Sequence, residues 1–141
     1  MKRHASATWW GGIKEGRGEI TTQSGTMEDT PYSFATRFEG EKGTNPEELI
    51  GAAHAGCYSM ALSGILARAG TPATRIDTRA DVTLEKVEAG FAITGVHLST
   101  RLEVPGADAA DLEQAAREAK EGCPVSKALD VEITLDVTVV Q

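Results

Sequence analysis

The sequence predicts an α+β domain with a mostly antiparallel sheet. Three observations predict it. Short runs with period-two alternation occur on both sides of the chain's middle. A long stretch without any charge lies between them, and a second helical pattern precedes one last alternating run. The 141 residues fit one ordinary domain, 1–141, and 40% hydrophobic residues are enough to build its core. No internal repeat, low-complexity tract or linker divides the chain.

The first third reads as strands at residues 5–10, 18–23 and 32–38, rich in Thr, Ile and aromatic residues. Turn residues separate them: Gly11-Gly12, Ser24-Gly25 and Asp29-Thr30-Pro31. A helix then opens on a strong start signal. Asn45 suits the N-cap, Pro46 the first helical position, and Glu48 completes an Asn-x-x-Glu capping box. Residues 49–67 contain no Asp, Glu, Lys or Arg, a run of 19. That length matches a membrane span of about 20 residues. Gly51, His54, Gly56, Ser59, Ser63 and Gly64 make it too polar for one, so a helix buried on most sides of a globular core is expected. Gly70, Thr71 and Pro72 end it.

Two strands follow. Ile76, Thr78, Ala80, Val82 and Leu84 alternate with polar residues, and after a turn near Glu88-Ala89-Gly90 the run 92–104 puts Val96, Leu98, Leu102 and Val104 on one face. A second helix starts at Asp108, with Leu112, Ala115, Ala116 and Ala119 as its apolar stripe and Gly122 suited to its stop. Cys123-Pro124 opens a short helical turn to Leu129. The last strand carries Val131, Ile133, Leu135, Val137 and Val139 on its inner face.

Charge narrows the function classes. The 14 Lys and Arg against 21 Asp and Glu leave a net −7. That field disfavours nucleic acid and anionic membranes as partners. Lys2 and Arg3 are not followed by an apolar stretch, so no signal peptide is expected. Two cysteines do not make a disulfide-dense secreted scaffold, and a reducing cytoplasm is the expected compartment.

Few residues carry chemistry. Cys57 lies inside the uncharged helix, where a small buried hydrophobe is the plain reading. Cys123 precedes Pro124, so it caps a short helix whose amides and dipole favour a thiolate; an incidental cap is the alternative. The pair is far apart in sequence and forms no Cys-x-x-Cys motif. His4, His54, His97 and the cysteines lack paired ligand spacing, so no metal is expected. Arg37 is placed at a strand end and Glu47 in the first turn of the long helix, where a solvated arginine and a dipole-complementing acid are ordinary. No Ser-His-Asp order, phosphate loop or nucleotide fingerprint occurs. The residues alone lead to a soluble α+β domain with two thiols open to redox chemistry.

Motifs lead further. The segment Gly43-Thr44-Asn45-Pro46-Glu47-Glu48-Leu49-Ile50-Gly51-Ala52-Ala53-His54-Ala55-Gly56-Cys57 closely resembles the signature of the OsmC/Ohr family of osmotically inducible and organic-hydroperoxide-resistance proteins. Gly122-Cys123-Pro124-Val125-Ser126 resembles that family's second-cysteine segment. Residues 31–43, Phe91-Ala92-Ile93-Thr94 and the closing Glu132-Ile133-Thr134-Leu135-Asp136 are similar to the OsmC branch in particular. Gly56-Cys57-Tyr58 departs slightly from the family's more usual Ala-Cys-Phe, which touches the pocket wall and no reactive group.

The resemblance implies an OsmC-like fold, with mostly antiparallel sheets wrapped around central helices in an intertwined homodimer. It implies a thiol-dependent peroxidase of the oxidative and osmotic stress response that reduces organic hydroperoxides to alcohols. Cys57 would be the peroxidatic cysteine and Cys123 the resolving one, closing a Cys57–Cys123 disulfide. Arg37 would stabilise the thiolate and polarise the peroxide, with Glu47 holding Arg37. No prosthetic group is implied; the reductant would be a dithiol such as a lipoyl group. The uncharged Gly, Ala, Leu and Met wall suits a bulky apolar peroxide. A protein thiol–disulfide oxidoreductase and a non-enzymatic binder of small apolar ligands remain the alternatives. Glu47 and Cys57 are ten residues apart, about 15 Å of helical rise. Either the helix breaks near Gly51 or Gly56, or Arg37 and Glu47 serve the thiol of a partner chain.

Overall fold

A computed structural model describes residues 1–140. The elements follow the order β1 (Ala5–Trp10), β2 (Arg17–Thr22), β3 (Thr30–Tyr32), α1 (Phe34–Phe38), α2 (Pro46–Arg68), β4 (Arg75–Val87), β5 (Gly90–Glu103), α3 (Ala109–Gly122), α4 (Pro124–Ala128) and β6 (Glu132–Val140). This is the α+β class expected. The chain forms two compact units, Met1–Leu49 and Ile50–Gln141.

In the first unit β1, β2 and β3 form an antiparallel meander in that order. Gly18 lies across from Trp9 on one side and Tyr32 on the other. The Trp9 and Tyr32 rings meet over it, centroids 5.4 Å apart. A Cβ at Gly18 would fall 2.3 Å from Tyr32 Cε1, so only glycine lets those rings close over the strand.

The strand expected over residues 32–38 is not formed. The chain leaves β3 at Tyr32 and turns into the short helix α1. The cause is a capping box. Ser33 Oγ accepts from the Thr36 amide at 3.2 Å, and Thr36 Oγ1 accepts from the Ser33 amide at 2.9 Å. Thr36 replaces the usual Glu or Gln, so the signal was hidden. The Thr36 hydroxyl also lies 2.9 Å from the Thr44 carbonyl, bridging α1 to the segment before α2.

The start of α2 carries one half of the expected capping box, and the return bond from the Glu48 side chain is not among the hydrogen bonds of the described residues. Asn45 Oδ1 accepts from the Glu48 amide at 2.8 Å, and Pro46 is the first helical residue. Gly70, at φ 79°, takes the left-handed turn that stops it. Its length and mean hydropathy of 1.4 would suffice for a membrane span, but one face is built into the core.

In the second unit β4 and β5 form a long antiparallel pair with a bulge at Thr83/Leu84, and β6 adds parallel to β5. Val96, Leu98, Leu102 and Val104 are buried, as is the α3 stripe of Leu112, Ala115, Ala116 and Ala119. They share one core with Tyr58, Leu62 and Leu66 of α2. Asp108 caps α3 by accepting from the Ala110 amide at 2.8 Å.

One expectation for α2 fails. Gly51, His54, Tyr58, Leu62 and Leu66 are its buried residues, a single stripe. Ala52, Ala53, Gly56, Met60, Ser63 and Ala67 are exposed. The helix is therefore buried on one side of the single chain, not on most sides. An absence of charge says a face tolerates burial; the fold of this one chain supplies cover for one stripe of it.

Candidate active site

The second unit brings both cysteines together. The Tyr58–Leu62–Leu66 stripe anchors α2, and Cys57 sits at the edge of that stripe, half-buried. Cys123 ends α3 and begins α4, in extended conformation (φ −62°, ψ 123°), with Pro124 at the first position of α4. It is 0% exposed. Both are free thiols, and they lie close enough for each to act on the other's ionisation.

Their electrostatics differ. Burial pushes the Cys57 thiol up, the Cys123 thiol adds to that shift, and the Val125 amide opposes it. Burial also acts to raise Cys123. Hydrogen bonds from Cys57, from the Ser126 amide and hydroxyl, and from the Val125 amide outweigh it, so Cys123 is lowered. The start of α4 thus biases Cys123 toward thiolate, as its capping position suggested, although no capping bond of full geometry forms. Within this unit Cys57 is surrounded by groups that keep it a thiol.

A further polar pair lies beside the thiols, and the sequence reading weighed its histidine only as a metal ligand. His54 is 0% exposed, one turn before Cys57 on α2. Its Nε2 lies 2.7 Å from Ser126 Oγ, and its Nδ1 is buried without a partner. Burial lowers its pKa below the ordinary 6.5. The signal was present in sequence: His54 and Ser126 each stand three residues from a cysteine.

Arg37 and Glu47 meet in the first unit. Arg37 Nη2 lies 2.6 Å from Glu47 Oε1, and Nε lies 3.1 Å and 3.2 Å from the two carboxylate oxygens. This is a two-pronged guanidinium–carboxylate pair. Glu47 is the more buried, its side chain 13% exposed against 36% for Arg37. Arg37 stands on α1 and not at a strand end, because the Ser33–Thr36 box starts the helix. Beside it opens a recess of about 310 Å³ lined by Trp9, Ile13, Tyr32, Phe34, Phe38 and Pro46. The lining of this recess is largely aromatic.

The helix between Glu47 and Cys57 does not break. α2 runs without interruption from Pro46 to Arg68, through Gly51 and Gly56. His97 makes a 2.6 Å hydrogen bond to Thr134 and lies 3.3 Å from Asp136 on the sheet. Among the described residues no group of three or more His, Cys, Asp or Glu side chains is placed to hold a metal ion.

The family model described as OsmC-like protein matches residues 39–138, which include Glu47, Cys57 and Cys123. The chain belongs to the OsmC family. It is 58% identical over 136 residues to the peroxiredoxin OsmC of Escherichia coli (strain K12), covering 96% of this chain and 95% of that protein. It is 38% identical over 101 residues to the organic hydroperoxide resistance protein OhrA of Bacillus subtilis (strain 168), covering 69% of each. The crystal structure of the B. subtilis organic hydroperoxide resistance protein OhrB aligns with TM-score 0.72 at 28% identity, over 97% of this chain and 98% of that one. An organic hydroperoxide resistance protein from Elizabethkingia anophelis shares the fold, with TM-score 0.77 at 24% identity over 100% and 96% of the two chains. The OsmC chain is a cysteine-based peroxidase, an oxidoreductase. Peroxiredoxin chemistry runs on cysteine sulfur and needs no prosthetic group.

The burial of His54 generates a pH prediction. Above the ordinary imidazole pKa both folded and unfolded chains hold it neutral. As pH falls below about 6.5 the unfolded chain takes up a proton that the folded chain resists, so stability is lost with a slope of up to about 1.4 kcal/mol per pH unit. Denaturant unfolding of the reduced protein at fixed concentration should show wild type losing its advantage over His54→Gln between pH 7.5 and 5.5. A gap that stays constant with pH would show that His54 is not held neutral.

Proposed function

We propose that the protein reduces organic hydroperoxides to alcohols, with Cys57 as peroxidatic and Cys123 as resolving cysteine. One observation carries this reading: two free thiols, far apart in sequence, are brought close enough beside a buried helix stripe for each to shift the other's ionisation. The half-buried Cys57 is open to a small molecule, and the fully buried Cys123 is open chiefly to Cys57. The Cys57 thiolate attacks one peroxide oxygen. A sulfur–oxygen bond forms, the oxygen–oxygen bond breaks, and the leaving alkoxide takes a proton to become the alcohol. Cys123 then attacks the sulfenic acid, the disulfide closes, and water leaves. A dithiol such as a lipoyl group restores both thiols, in a reducing cytoplasm. The aromatic recess beside Arg37 suits an alkyl or aryl tail.

Activation of Cys57 requires a cation. An ordinary thiol of pKa about 8.5 is a few per cent thiolate at neutral pH; a shift to about 6 makes it mostly thiolate and takes about 3.4 kcal/mol of differential stabilisation. The surroundings of Cys57 in its own unit act in the opposite direction. We assign the cation to Arg37, aimed by Glu47. About 15 Å of unbroken helix separates Glu47 from Cys57, which favours delivery from a second copy of the chain. The exposed stripe Ala53–Gly56–Met60–Ser63–Ala67 is uncharged, small-residue rich and spaced like a helix–helix seam; Met60 alone is 79% exposed. We therefore read the working form as a homodimer.

Steady-state and single-turnover assays with cumene hydroperoxide test the roles. Cys57→Ser should reduce consumption to background. Cys123→Ser should allow one fast oxidation of Cys57, followed by stalling or over-oxidation visible by mass spectrometry. Normal turnover in Cys57→Ser would overturn the reading in favour of a different nucleophile. kcat/KM should exceed that for hydrogen peroxide; equal values would remove the recess from substrate selection.

Sharing of the site has its own test. Arg37→Ala should lower kcat/KM by about 10²–10³-fold. Sedimentation at micromolar concentration should show a dimer that Met60→Glu weakens. Mixed dimers of Cys57→Ser and Arg37→Ala chains should regain one active site. An active monomer would refute the shared site, and a dimer whose mixed form stays dead would place Arg37 and Cys57 of one chain together.

A further inference from the structure

A fully buried histidine on a core helix is costly unless its ring nitrogens are satisfied. His54 satisfies one of them, through Ser126 Oγ at 2.7 Å, and leaves Nδ1 buried without a partner. Packing alone gives no reason for an imidazole here; a leucine would continue the stripe of Leu62 and Leu66. The partner it reaches is the informative part. Ser126 lies three residues past Cys123, in the helix α4 that Cys123 caps, and its hydroxyl is close enough to the Cys123 sulfur to favour the thiolate.

The orphaned Nδ1 assigns the direction of this chain. A proton on Nδ1 would be a buried N–H donor with no acceptor, which is rarer in folded proteins than an unsatisfied acceptor. The proton therefore belongs on Nε2, and burial keeps the ring neutral, with no second proton. Nε2–H then donates to Ser126 Oγ. The single hydroxyl hydrogen of Ser126 cannot point back at the ring, so it is free to donate to the Cys123 sulfur. The groups that bear on that sulfur are the Cys57 thiol, the Ser126 hydroxyl and the amides of Val125 and Ser126.

We propose that His54 and Ser126 form a part-buried donor chain that positions the Cys123 sulfur for attack on the Cys57 sulfenic acid. The inference rests on the assignment of Cys57 and Cys123 made above. In the step it serves, the Cys123 thiolate attacks the Cys57 sulfur, which the hydroperoxide has already oxidised. The sulfur–sulfur bond forms and the sulfur–oxygen bond breaks. The leaving hydroxide departs as water, taking up one proton, which balances the proton Cys123 gave up on ionising. Ser126 stabilises the thiolate before attack and holds a sulfur lone pair free for Cys57, while His54 keeps the hydroxyl from rotating away. The same donors assist the reverse polarity. When the external dithiol attacks Cys57, Cys123 is the leaving thiolate, and a better stabilised thiolate leaves faster. His54 and Ser126 are thus positioning residues; neither touches the peroxide.

Two readouts test this, one without any peroxide. In a Cys57→Ala background Cys123 is the sole cysteine, and its ionisation can be followed by NMR of ¹³C-labelled cysteine as pH is raised. Ser126→Ala should raise the Cys123 midpoint by about one unit, a tenfold loss of thiolate at neutral pH. Ser126→Thr, which keeps the hydroxyl, should restore it. In the two-cysteine protein, quenched single turnover with one equivalent of cumene hydroperoxide separates sulfenic acid formation from disulfide closure by intact mass. Ser126→Ala and His54→Phe should each slow closure about tenfold, with sulfenic acid formation unchanged, and the double variant should be no slower than Ser126→Ala alone. His54→Gln, which keeps an N–H donor, should close faster than His54→Phe and guards against loss of fold. An unchanged Cys123 midpoint in Ser126→Ala, or additive losses in the double variant, would overturn the donor chain. Failure of the underlying assignment looks different: no sulfenic acid would appear at Cys57 in any of these proteins.

Discussion

The second unit depends on the burial of one helix stripe. Tyr58, Leu62 and Leu66 of α2 enter a core shared with β5 and α3, and every group of chemical interest there takes its place from that packing. A helix held along that line has little freedom to rotate, so the position of Cys57 beside the stripe is determined. α3, held by Leu112, Ala115, Ala116 and Ala119, likewise delivers its C-cap residue to one point. Cys123 is that residue. The meeting of the two thiols is a consequence of close-packed apolar side chains, whose displacement would cost several kcal/mol for each large residue removed.

Polar groups of this unit pair in part with one another. Ser59 Oγ donates to Thr78 Oγ1 at 2.8 Å, and Thr78 meets Thr100 at 3.3 Å. Among the described residues two buried side-chain polar atoms have no hydrogen-bond partner, the Tyr58 hydroxyl and His54 Nδ1. They differ in their surroundings: the Tyr58 hydroxyl bears on Thr100 of the sheet, whereas the other nitrogen of His54 reaches Ser126, three residues past Cys123. An imperfectly satisfied polar group beside reactive side chains is where function outweighs stability.

The first unit shows a parallel arrangement at smaller scale. Its three-stranded meander carries the Trp9–Tyr32 ring pair over Gly18, and the chain then turns abruptly into α1. That turn sets Arg37 against Glu47 beside an aromatic recess. The carboxylate uses both oxygens, so the guanidinium plane is oriented and not merely neutralised.

Much of this was legible in the chain itself. Period-two runs announced β4, β5 and β6, and Asn45-Pro46 and Asp108 announced the starts of α2 and α3, because these signals are local and act through the backbone within one turn. The motifs around Cys57 and Cys123 pointed to the family before any fold was known. The Ser33–Thr36 box was missed, since Thr36 also fits a strand and the decision rested on two short hydrogen bonds. The one-sided burial of α2 was missed because composition reports what a face tolerates and not what covers it. Only the tertiary structure decided that Cys57 and Cys123 come close enough to act on each other's ionisation and that His54 reaches Ser126 across 72 residues of chain. Such contacts join residues whose separation carries no periodic trace; they arise where packed elements happen to cross, and a linear pattern does not encode the crossing point.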